Sequence, residues 1–147
     1  MADINLGARP DLGRYLKVTS VDFKVTDPSA ADPNAPVDMI GVNTPFIMHF
    51  AFQITGTLKN YFNSHDWSVN FYADAMGVDV PYGEVHWHFD ALALTPVGND
   101  TYELKHTVQS GLSHIAVFEF GAIAWLPTTG LNAYVEGVHV EVAPTPI

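Results

Sequence analysis

Cysteine is absent from the 147-residue chain, which excludes disulfide frameworks, thiol nucleophiles and thiolate metal sites. Basic residues are scarce, since six Lys and Arg stand against sixteen Asp and Glu, and the net charge at pH 7 is −10. This charge would repel phosphate backbones and anionic lipids. The composition therefore argues against nucleic-acid binding and against binding to a membrane surface.

Long apolar runs are also absent, so no membrane span is predicted. The first residues, Met1 to Leu6, lack a basic region followed by an apolar run, and no secretory signal is predicted. We expect a cytoplasmic protein, with export by a route other than Sec left open. With 48% apolar and 15% charged residues the chain is not disordered, and its length suits one domain of roughly 100–200 residues.

Apolar and polar side chains alternate through most of the chain, which is typical of half-buried strands. The clearest run extends from Phe46 to Ile54, and the alternation changes parity near Thr19 and Ser20, as in a bulged strand. No helix of normal length is predicted. We predict a single antiparallel two-sheet β-sandwich of about seven to eight strands over residues 15–147, preceded by an extended N-terminal segment, residues 1–14.

Trp67, at a core position of a strand that follows a polar turn, favours an immunoglobulin-like sandwich over a jelly roll. The run from His114 to Leu126 is apolar on both faces apart from Glu119, which predicts a strand that is covered on both sides or faces a partner. The expected core includes the following large side chains: Trp67, Trp87, Phe50, Phe52, Phe71 and Leu104.

One strand carries the densest group of the seven histidines. Glu84, His86, His88 and Asp90 share one face of it, about 6–7 Å apart pairwise. Two imidazoles at this spacing suit a divalent metal such as Zn²⁺, and His49 or Asp74 from a neighbouring strand would complete the site. We favour the simpler interpretation, in which these residues form the solvent-exposed face of an amphipathic strand.

The turn Pro81-Tyr82-Gly83 followed by His86 and His88 resembles the turn and histidine pair that open the metal site of the cupin family. The resemblance covers residues 81–90. It implies a jelly-roll fold, a divalent metal and functions that range from oxygenases and isomerases to storage proteins. Cupins direct this pair into the barrel, whereas the alternation here places Trp87 and Phe89 on the core side.

Three tyrosines, Tyr72, Tyr61 and Tyr82, are candidates for an aromatic platform that stacks on sugar rings. Carbohydrate binding is therefore a further alternative. Isolated surface aromatics are the commoner explanation of such residues.

Charge is distributed unevenly along the chain. Residues 1–24 hold four basic and three acidic side chains, whereas residues 25–147 hold two basic and thirteen acidic ones. The N-terminal segment also carries Ile4 and Leu6, which need an apolar surface, and two arginines, Arg9 and Arg14. Strand addition at the sheet edge of a neighbouring copy would provide that surface, and a frayed terminus is the alternative.

No Gly-x-Ser-x-Gly elbow and no Walker-type phosphate loop occur in the chain. The leading prediction is therefore a non-enzymatic structural or interaction module that self-associates or binds another protein, without a cofactor. A cupin-like or other His-ligated metal protein or enzyme is the alternative, and a carbohydrate-binding module is the second alternative.

Overall fold

The computed structural model describes residues 15–62, 66–76, 84–127 and 129–144. They form two β-sheets, which confirms the all-β prediction. A short 3-10 helix, Lys59–Tyr61, follows the third strand. The strands are β1 Lys17–Thr26, β2 Met39–Gly41, β3 Phe46–Thr55, β4 Asp66–Ala75, β5 Glu84–Ala93, β6 Thr95–Gly98, β7 Thr101–Val108, β8 Ala116–Trp125 and β9 Asn132–Ala143.

The four-stranded sheet has the order β1-β3-β7-β6 and the five-stranded sheet the order β2-β9-β8-β4-β5. Neighbouring strands are antiparallel except β2 and β9, which are parallel, so the expectation of a wholly antiparallel sandwich is wrong at this pair. The described residues form nine strands rather than seven or eight. The additional ones, β2 and β6, have three and four residues and are too short to show an alternating pattern.

The core lies between the two sheets and is rich in aromatic rings. On β3 the alternate residues from Phe46 to Ile54 are fully buried, as predicted. Phe52 packs against Trp67 with ring centroids 5.0 Å apart, and Phe46 packs edge-on against Phe120 at 5.7 Å. The predicted core residues are buried except Trp87, which is only partly buried.

The first described residue, Tyr15, lies beside the end of β3. The backbone N–H of Leu58 donates to the Tyr15 carbonyl at 2.7 Å. Gly56, at φ +107°, lies against the same carbonyl, where a Cβ would collide with the backbone. The strand that follows, β1, shifts its register between Ser20 and Asp22, which confirms the predicted bulge.

One face of β8 is buried and the other is partly open. The inner side chains Phe118 and Phe120 are buried, whereas Val117 and Ile123 on the outer face are exposed. The outer face of β8 is therefore not covered by the described part of the domain. No helix within the described ranges is long and apolar enough to cross a membrane.

Candidate functional site

Strand β5 forms one edge of the five-stranded sheet, and among the described strands it pairs only with β4. Its side chains alternate as the sequence predicts: Glu84, His86, His88 and Asp90 are exposed on the outer face. Val85, Trp87 and Phe89 point towards the core. The histidine pair therefore faces away from the interior, which is the opposite of the cupin arrangement.

The two histidines each contact a carboxylate of their own strand. His86 Nε2 lies 3.3 Å from Glu84 Oε1, and His88 Nε2 lies 2.6 Å from Asp90 Oδ1. His88 also bonds to the side chain of Asn70 on β4, and its ring stacks on Trp125 at 5.9 Å. Among the described residues no three His, Asp or Glu side chains converge in a way that would hold a metal ion.

His49 lies on β3, in the other sheet, and does not join His86 and His88. Its Nδ1 is 3.1 Å from Glu103 Oε1 and its Nε2 is 2.8 Å from Thr26 Oγ1. When the neutral ring donates its Nδ1–H to Glu103, its Nε2 accepts a hydrogen bond from the Thr26 hydroxyl.

No local pattern in the sequence indicates this network, because its members are distant in the chain and meet only through the register of β1, β3 and β7. The order hydroxyl, imidazole and carboxylate is the one that serine hydrolases use. Thr26 is fully buried, however, and its hydroxyl is closed to a substrate. The network therefore ties the three strands together.

The predicted carbohydrate-binding tyrosines lie on separate elements. Tyr61 is exposed on the 3-10 helix, Tyr72 lies on the outer face of β4, and Tyr82 lies outside the described residues. No ring contact joins Tyr61 and Tyr72. The Tyr72 hydroxyl lies over Gly121 of β8. The pKa of Tyr72 is raised above its usual value, first by burial and then by the negative charges of nearby carboxylates. These carboxylates belong to Glu136, Glu119, Glu84 and Asp74.

The inner face of β5 is only partly covered. Val85, Trp87 and Phe89 are half-buried, although they pack against the core. Trp87 meets Phe46 edge-on at 6.3 Å, and Phe89 lies 4.6 Å from the ring of His106 on β7. Burial lowers the pKa of His106 below its usual value. We call Val85, Trp87 and Phe89 the β5 seam.

The other sheet edges carry devices that oppose further strand pairing. β2 has three residues, and β6 has four and includes Pro96. β1 is bulged and contains two lysines, Lys17 and Lys24. The end of β1 is also covered by the loop that follows it, because the Val37 N–H donates to the Val25 carbonyl at 2.9 Å.

Short length, proline, lysine, bulges and covering segments are the means by which natural sheets avoid edge-to-edge association. β5 has ten residues without proline or lysine, and no described segment pairs with its outer edge. Its register against β4 shifts between Phe89 and Leu92, which leaves Glu84–Phe89 as a regular stretch of edge. Among the described edges it is therefore the most open to an added strand. The residues predicted to mediate self-association, Ile4, Leu6, Arg9 and Arg14, lie outside the described residues.

No family model matches the chain, and no curated protein matches it. Ten chains of solved structures match, including the two described below. The CARDB domain of the PF1109 protein from Pyrococcus furiosus, solved in complex with di-metal ions, is 11% identical, with a TM-score of 0.43, over 88% of this chain and 90% of that one. The PmoD soluble domain from Methylocystis sp. ATCC 49242 (Rockwell) is 16% identical, with a TM-score of 0.40, over 82% of this chain and 89% of that one. At these values neither likeness extends to ligands or function.

Proposed function

We propose that this protein is a non-enzymatic interaction module that self-associates through the open edge of β5. The observation that carries the proposal is that no described segment covers the ten-residue edge strand β5, which lies beside a half-buried seam. An added strand would pair with the free backbone groups of β5, and its inward side chains would remove the seam from water. Main-chain pairing supplies affinity in such complexes, and the alternate side chains supply specificity.

The proposal includes an immunoglobulin-like topology. The order β1-β3-β7-β6 corresponds to strands A, B, E and D of an immunoglobulin domain. In the second sheet β9, β8 and β4 correspond to G, F and C, with β5 in the position of the additional edge strand C′ of variable-type domains. The fully buried Trp67 lies on the strand equivalent to C, where immunoglobulin domains carry their core tryptophan.

Sedimentation velocity and light scattering over a range of protein concentrations test this function. We expect species larger than the 16.1 kDa monomer whose fraction rises with concentration. A lysine that points inward on an edge strand blocks strand addition. V85K should therefore abolish association. H86K adds the same lysine on the outer face of the same strand, where its charge stays in water, and should weaken association less than V85K does.

Thermal melts of V85K and H86K verify that both variants fold. A wild-type protein that remains monomeric at every concentration contradicts self-association. Association of V85K as strong as that of the wild-type protein would show that the copies meet elsewhere than at β5.

Metal binding at His86 and His88 is the alternative proposal. It is supported by two exposed imidazoles on the same face of β5, each beside a carboxylate. Elemental analysis of untagged protein and thermal shifts with added Zn²⁺ distinguish the two. A metal site predicts bound metal that is lost in H86A/H88A and retained in H139A, which removes an exposed histidine of β9.

A further inference from the structure

We infer that the strand which β5 receives is the segment Ala2–Arg9 of a second copy of this chain. This inference rests on the proposed function and names its partner. The structure defines what an added strand must offer: apolar side chains on one face, to cover the β5 seam, and polar side chains on the other, beside Glu84, His86 and His88.

The N-terminal sequence has that pattern. Apolar and polar or small residues alternate in it: the first set is Ala2, Ile4, Leu6 and Ala8, and the second set is Asp3, Asn5, Gly7 and Arg9. Pro10 follows and would end strand pairing, because proline has no backbone N–H to donate. Added to β5 in the register that turns the first set inward, the segment places Ile4 and Leu6 against the seam. The second set then lies beside the polar outer face of the sheet.

Charge favours this segment over other parts of the chain. Residues 1–14 hold two Arg and two Asp, whereas residues 25–147 hold two basic and thirteen acidic side chains. An acidic surface of one copy repels the acidic surface of another, but the N-terminal segment approaches without this repulsion. Arg9 would meet an outer face on which Glu84 and Asp90 are exposed.

Geometry favours a second copy over the segment's own domain. Tyr15 lies beside β1, which packs against β9, and β9 is three strands away from β5 in the five-stranded sheet. A strand added outside β5 is four strand spacings from β9, and with strands spaced ~4.8 Å and sheets ~10 Å apart it lies about 22 Å from Tyr15. The six Cα–Cα steps from Arg9 to Tyr15 cover about 21 Å when they are fully extended, at ~3.5 Å per step, so the segment reaches this edge of its own domain only with a fully stretched link. Docking on a neighbouring copy imposes no such condition.

The test uses the full chain with charge-neutral substitutions. I4S/L6S removes the two large inward side chains, and N5S/G7S makes two substitutions in the same segment on the opposite face. We expect I4S/L6S to weaken association roughly tenfold or more, because two aliphatic side chains are no longer buried. N5S/G7S should change it by less than about threefold. A labelled peptide of residues 1–14 should bind I4S/L6S, but not the same chain that also carries V85K.

Hydrogen exchange at the β5 amides separates the remaining outcomes. Unchanged association of I4S/L6S overturns the inference and leaves self-association through β5 standing. A monomeric wild-type protein whose β5 amides are protected only while Ile4 and Leu6 are present shows that the segment docks on its own domain, which also overturns the inference. A monomer whose outward-pointing β5 amides are unprotected contradicts both the inference and the proposed function.

Discussion

Neighbouring strands β4 and β5 carry the same alternating pattern but differ in how far the pattern is buried. On β4 the inward side chains Trp67, Val69 and Phe71 are 0% exposed. On β5 the inward side chains Val85, Trp87 and Phe89 are all partly exposed. β4 lies between β8 and β5, whereas β5 has a neighbour on one side only within the part of the chain that the structure describes. Alternation therefore identifies the inward face of a strand, but the coverage of that face depends on position in the sheet.

The largest difference in the free energy of unfolding is expected when one phenylalanine of each strand is truncated. Truncating a fully buried phenylalanine costs about 3–5 kcal/mol, so F71A should lose that much free energy of unfolding. Phe89 contacts Phe71 and His106 but lies on the open edge, and F89A should cost about half as much. Urea unfolding of the monomeric state measures both. Equal losses would mean that the β5 seam is packed as tightly as the centre of the sheet.

A smaller effect distinguishes two histidines on outer faces. The His49 side chain is 14% exposed and bonds to Thr26 and Glu103, whereas the His88 side chain is 47% exposed. H49A leaves the buried Thr26 hydroxyl without its partner and should cost about 1–3 kcal/mol. H88A should change the free energy of unfolding by less than about 0.5 kcal/mol. A costly H88A would indicate that the contacts to Asn70 and Trp125 stabilise the edge.

The smallest effect is the pH dependence contributed by His106 on β7, which packs against Phe89 across the sandwich. Its pKa is lowered in the folded protein by burial, so the unfolded chain binds the proton more tightly. Its contribution to stability is therefore present above the ordinary histidine pKa of about 6.5 and is lost as the pH falls below that value. H106L should flatten this part of the stability–pH curve. H139L, at an exposed position on β9, is the matched control.

Much of the fold follows from the sequence because it depends on local alternation. The faces of β3, β4 and β5 were predicted correctly, as was the bulge in β1. β2 and β6 were missed because three or four residues cannot display a period of two.

Local sequence patterns do not indicate which distant strands pair, and two features of the candidate site depend on that pairing. It brings Thr26, His49 and Glu103 together and leaves His49 in a different sheet from His86. It also makes β5 an edge strand, which no local pattern indicates.

The central claim is that β5 is the edge through which copies associate. The most direct measurement is amide hydrogen exchange of wild-type protein at low and high concentration. The amides of Glu84–Ala93 that do not bond to β4 should become protected as the concentration rises, whereas those of the short edge strands β2 and β6 should exchange at unchanged rates. Association without added protection of β5, or with protection of another edge instead, would contradict the account.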